Sequence, residues 1–103
     1  MLKLRWTNGR FTSASVLADL VEKEKRLIAG LAININGERC FMGVVHDYHW
    51  DANAHGRKRR SLTQTSINHL REALGGNLIT PNDNFIGTPE ERCKYMADLL
   101  RSL

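Results

Sequence analysis

Between residues 46 and 60 the sequence reads HDYHWDANAHGRKRR, and this stretch holds the densest set of side chains that could do chemistry. Arg57, Lys58, Arg59 and Arg60 can pair with phosphates, and the arginines add bidentate hydrogen bonding. Tyr48 and Trp50 lie just upstream, and aromatic faces beside cations suit stacking on bases. His55 borders the run and is grouped with it as a candidate contact. Phosphate contacts of this kind give affinity without base preference, so the patch would position rather than specify. The competing reading is a solvated loop whose charges keep the protein in solution.

The same stretch offers zinc-type ligands in His46, Asp47, His49, Asp51 and His55. His46 and His49 share a face only if the backbone is helical there, and no second cluster completes a tetrahedral set. No metal or other cofactor is therefore expected. Cys40 lies upstream of His46, which raises a Cys–His pair. A nucleophilic thiolate needs an accessible, electropositive setting, and Cys40 sits in an apolar run instead. Cys93 falls among the apolar positions of the last helical segment. The chain holds no G-x-S-x-G, no P-loop and no Gly-rich dinucleotide turn, and LGGN (74–77) reads as a helix stop. A non-enzymatic protein is expected, with no catalytic residues.

Charge supports the emphasis on the basic run. The formal net charge is +4, from 15 Lys and Arg against 11 Asp and Glu. Setting Arg57, Lys58, Arg59 and Arg60 aside leaves 11 basic residues, so the whole excess comes from one short segment. Apolar residues make up 42% and charged residues 25% of 103, the composition of one globular domain spanning 1–103. No apolar run is long enough for a membrane span, and MLKLRWTNGR lacks the apolar core of a secretory signal. With two widely spaced cysteines, this favours a reducing, cytoplasmic setting with free thiols.

The elements that must hold these residues read as follows. LKLRW (2–6) alternates like a half-buried strand and TNG turns the chain. Val16, Leu17, Leu20, Val21 and Leu27 recur at helical spacing after Thr12 or Ser13 as N-cap, giving a helix that ends near Gly30. LAININGERCF (31–41) carries an Asn-Gly hairpin signal; Phe41, Val44, Val45 and Tyr48 then fit helical spacing, yet CFMGVV also continues the strand, and the favoured reading is a second strand of about five residues leading into a helix or turn. Residues 50–61 show no apolar period and read as the longest polar connection. LTQTSINHLREALGG is a helix with Ile67, Leu70 and Leu74 inward and His69 facing solvent. NLITPNDNFIG (77–87) reads as a short strand or extended piece. TPEE (88–91) opens a last helix with Thr88 as cap, Pro89 in the first turn and Glu91 closing a capping box.

Three of these pieces, AGLAININGERCFMG (29–43), LREALGG (70–76) and NDNFIGTPEE (82–91), resemble a group of small bacterial proteins filed as a domain of unknown function. The resemblance implies an order of elements and carries no chemistry, and the basic run is not part of its pattern. The small size would also suit a phage or mobile-element protein. The expected fold is α+β, with three helices packed on a small antiparallel sheet centred on the 31–41 hairpin. The expected function is a small binding module that holds nucleic acid through Tyr48, Trp50, His55 and Arg57–Arg60. The alternative is a protein-interaction module, a regulator or inhibitor whose basic loop meets an acidic or nucleic-acid-binding surface of another protein. No membrane partner is expected, and a second copy of the chain could cover an apolar helix stripe left by so small a core.

Overall fold

In the computed structural model, which describes residues 2–51 and 55–103, the chain opens with an antiparallel hairpin. Strand β1 (Lys3–Arg5) pairs with β2 (Phe11–Ser13), Leu4 lying opposite Thr12 and Arg5 opposite Phe11. Gly9, at φ +89°, supplies the left-handed residue that the connecting turn needs. Leu4 and Trp6 point into the core while Lys3 and Arg5 face out, as the period of two requires. Backbone bonds from Thr7 N–H to Ser61 O (2.7 Å) and from Thr63 N–H to Arg5 O (2.9 Å) lay the 61–63 segment along the far edge of β1.

Ser13 ends β2 and caps α1 (Ala14–Glu24), its Oγ accepting from Val16 N–H. Lys25 closes the helix in a left-handed conformation, earlier than the apolar spacing suggests, so Leu27 reaches the core from a loop. α1 packs along α5 (Pro89–Arg101), where the Cys93 thiol donates to Val21 O at 3.1 Å. The capping box at Thr88 and Glu91 is present as expected. One buried cluster joins Leu4 of β1, Leu17 and Val21 of α1, Phe41, Leu70 and Met96. Among the described residues, no helix is long and apolar enough to cross a membrane.

The architecture is α+β, but it is not three helices on one sheet centred on residues 31–41. That stretch forms only an isolated bridge, Ile33 opposite Arg39. Asn34 is the reason: its side-chain oxygen accepts from the N–H groups of Asn36 (3.0 Å) and Glu38 (2.9 Å), and this local turn competes with a ladder. The chain then enters a short helix, α2 (Phe41–Val45), rather than a second strand. Phe41, Val44 and Val45 are all buried at helical spacing, and Gly43 lies so close to Ala32 O that a side chain there would collide with the backbone.

The second sheet lies where a loop was expected. Strands β3 (Tyr48–Asp51) and β4 (His55–Lys58) pair antiparallel, with Tyr48 opposite Lys58 and His49 opposite Arg57. Helix α3 (Gln64–Ala73) follows, capped by Thr63. The 77–87 stretch, expected as a strand or extended piece, holds a short helix, α4 (Thr80–Asp83). Asn77 starts it by accepting from Ile79 and Thr80 N–H, and Pro81 sits in the first turn, where a missing N–H costs nothing. Buried Asn82 ties α4 down through Ile28 O.

Candidate nucleic-acid interface

The basic run starts on β4 and continues into the segment that flanks β1. Arg57 and Lys58 are strand residues, while Arg59 and Arg60 lead towards the edge of β1. Arg57, Lys58 and Arg59 are exposed and Arg60 is half-buried. A strand rather than a loop therefore carries the start of the run, and alternation along it turns Arg57 and Lys58 to opposite faces.

The cations are not solitary. Asp47 stands at the foot of the hairpin in a left-handed conformation (φ +47°), which aspartate tolerates better than most residues. Its carboxylate accepts from Arg59 (3.1 Å) and from Arg39 (3.1 Å), and Arg60 Nε lies 3.5 Å from its second oxygen. Arg57 Nε is 3.4 Å from Asp51. Arg39 is the half-buried centre of this network: it grips Glu24 of α1 with two bonds (2.9 and 2.6 Å) and also donates to Tyr48 O. The Glu24 carboxylate, ahead of Asp47, pushes the Arg39 pKa further up. Counting Arg39 and the four cations of the run against Glu24, Asp47 and Asp51 leaves a local excess of two positive charges, half of what the run suggests alone.

The two aromatic residues singled out beside the run are engaged by the fold. Tyr48 is half-buried, with Lys58 Nζ over its ring at 5.9 Å and His46 edge-on at 6.3 Å. Trp50 is half-buried too and lies opposite Gly56. A side chain at Gly56 would stand 2.9 Å from Ile33 Cγ2 and 3.2 Å from Tyr48 Cδ1, so this face of the hairpin packs closely on the body. Arg60 spreads its guanidinium over the buried Trp6 ring at 3.9 Å, a cation–π contact that anchors the end of the run. Among the described Phe, Tyr and Trp residues, the ring most open to solvent is that of Phe11, at 78%, a residue the sequence pattern did not single out. Its signal was the pairing of two short alternating segments across a Gly turn, which sets Phe11 opposite Arg5 on the outer face.

The other chemical candidates separate in space. His46 Nδ1 lies 2.9 Å from Ser61 Oγ, and burial, then the nearby Lys58 charge, lowers its pKa from the ordinary 6.5. His49 sits on β3 opposite Arg57, and the His55 side chain lies outside the described residues. Among the described residues, no three His, Cys, Asp or Glu side chains gather as a metal site would need. Cys40 is buried, and burial raises its thiol pKa, as it does for Cys93. Both are held as neutral thiols, the reverse of an activated nucleophile. His69 is exposed on α3. Compared with known proteins, the chain matches no family model, no curated protein and no solved structure.

Proposed function

We propose that the chain is a non-enzymatic binding module that holds nucleic acid through the β3–β4 hairpin, with Arg57, Lys58 and Arg59 as phosphate contacts. One observation carries this reading: three consecutive exposed cations begin on a two-stranded ribbon that is tied to the core at its base by Arg39 and Asp47. Such a ribbon is small enough to lie along a nucleic-acid groove. The ion pairs with Asp47 and Asp51 oppose it only weakly. The Arg57 and Arg59 side chains are 59% and 57% exposed, and pairs that open contribute only about 0–1 kcal/mol each. A phosphate can therefore share or replace the carboxylate at little cost. Arg60 acts differently, as the residue that fastens the run to Trp6.

The experiment is a fluorescence-anisotropy titration of labelled oligonucleotides, run beside a pull-down from native extract with and without nuclease. A nucleic-acid module retains oligonucleotides at low salt and loses them steeply as salt rises. A chain that ignores free oligonucleotides yet holds a protein after nuclease treatment is instead an interaction module using its cations against an acidic surface.

A further inference from the structure

The outer face of the β1–β2 hairpin has a composition that the fold itself does not use. Lys3, Arg5 and Arg10 are exposed there and in its turn, and among the described residues none has a carboxylate within ion-pair distance. This contrasts with the 57–60 run, whose three arginines are each paired. Beside them is Phe11, with 78% of its surface open although it is fully apolar. Arg5 and Phe11 are cross-strand partners, so they share a face, and the guanidinium carbon lies 5.1 Å from the ring centroid. A groove of about 340 Å³ runs from this pair to the start of α3, lined by Lys3, Arg5, Phe11, Thr63, Thr65 and His69, with no Asp or Glu among its described lining.

We infer that this face is a base-stacking subsite for single-stranded nucleic acid, in which Phe11 and the Arg5 guanidinium form the platform and Lys3 meets a backbone phosphate. The inference rests on the nucleic-acid reading of the β3–β4 hairpin and adds the strand state that the chain prefers. Unpaired cations lack the internal competitor that Asp47 supplies to Arg59, so an incoming phosphate displaces only water. A cation held beside an aromatic ring extends the flat surface on which a base can lie, and both planes accept any base. Bases inside a duplex are already stacked on one another, so an exposed ring on a shallow face rewards only unpaired bases. The half-buried Tyr48 and Trp50 offer less open ring for that purpose.

The test uses a labelled single-stranded oligothymidylate and a duplex of the same length, with wild type, Phe11→Ala, Phe11→Leu, Lys3→Ser/Arg5→Ser and Arg57→Ser/Lys58→Ser/Arg59→Ser. Phe11 is open to solvent, so both of its variants should keep the wild-type far-UV circular dichroism. Losing one stacked base should weaken single-strand binding about 5- to 160-fold in Phe11→Ala. Phe11→Leu, which keeps apolar surface but not the flat ring, should behave like Phe11→Ala, and duplex binding should change little in either. Lys3→Ser/Arg5→Ser should also flatten the salt dependence on single strands by about 0.7 in log–log slope, the one phosphate contact of Lys3. Wild-type binding with Phe11→Ala unaffected overturns the subsite and leaves the hairpin reading standing. Binding that survives the loss of Arg57, Lys58 and Arg59 but falls with Phe11 and Arg5 supports the subsite and removes the hairpin as the phosphate contact. Wild type that binds neither oligonucleotide overturns both.

Discussion

Replacing Asp47 by Asn should weaken the fold and strengthen nucleic-acid binding, and the opposite signs make the substitution informative. The Asp47 side chain is 20% exposed and its carboxylate is shared by Arg39, Arg59 and Arg60. Asparagine enters the left-handed region as readily as aspartate, so the φ of +47° adds no strain of its own. Arg39 keeps its two bonds to Glu24 and is not left unpaired. The loss is therefore one ion-paired hydrogen bond reduced to a bond between the Arg39 cation and a neutral amide, about 1–2 kcal/mol, plus less than about 1 kcal/mol from the open pair with Arg59. A total near 2 kcal/mol should lower the urea midpoint by about 1 M for a typical denaturant slope. In binding, one negative charge leaves the hairpin and Arg59 and Arg60 lose their competitor. Anisotropy titrations should show tighter binding and a log–log salt slope steeper by about 0.7–0.9. Asp47→Asn that destabilises the protein without tightening binding would refute the reasoning, because the arginines would then not be what the ligand meets.

Three further outcomes are expected. Gly56→Ala should cost about 1–3 kcal/mol in a denaturant titration, since the new methyl would press on Ile33 and Tyr48 at the base of the hairpin. Thr88→Ala should cost about 1 kcal/mol by leaving Glu91 N–H without its side-chain partner, and it should leave binding unchanged. The lowered pKa of His46 means that the unfolded chain takes up its proton first as pH falls. Its contribution is complete above pH 6.5 and lost as pH falls towards the folded value, so the urea midpoint should drop on acidification and His46→Gln should shrink that drop.

What was legible in the sequence was what is local. The last helix announced itself through Thr88, Pro89 and Glu91, and α1 and α3 through apolar spacing, because caps and helical faces are written within a few residues. The β3–β4 hairpin was not, since the alternation of Tyr48 and Trp50 with His49 and Asp51 is only four residues long and β4, His55–Lys58, answers it with no apolar side chain. The Asn36-Gly37 turn does form, with Gly37 at φ +78° and Ile33 opposite Arg39, but the pairing stops at one bridge, where the Asn34 side chain takes up the Asn36 and Glu38 N–H groups. At the candidate site, the position of the charge excess was visible and its partners were not. Glu24, Arg39 and Asp47 meet only when α1 and the segments on either side of α2 are packed together, and no spacing encodes that. Phe11 likewise gained meaning only once its register with Arg5 was fixed.

The central claim, that Arg57, Lys58 and Arg59 hold phosphates, is tested most directly by the salt dependence of oligonucleotide binding in wild type and in the Arg57→Ser/Lys58→Ser/Arg59→Ser variant. Arg60 is retained because it is fastened to Trp6 and contributes to the fold. Loss of three phosphate contacts should reduce the log–log slope by about 2 on single strands and somewhat more on duplex, with the far-UV spectrum unchanged. Equal affinity and equal slope for the two proteins would contradict the account and leave the basic run as a solvated edge.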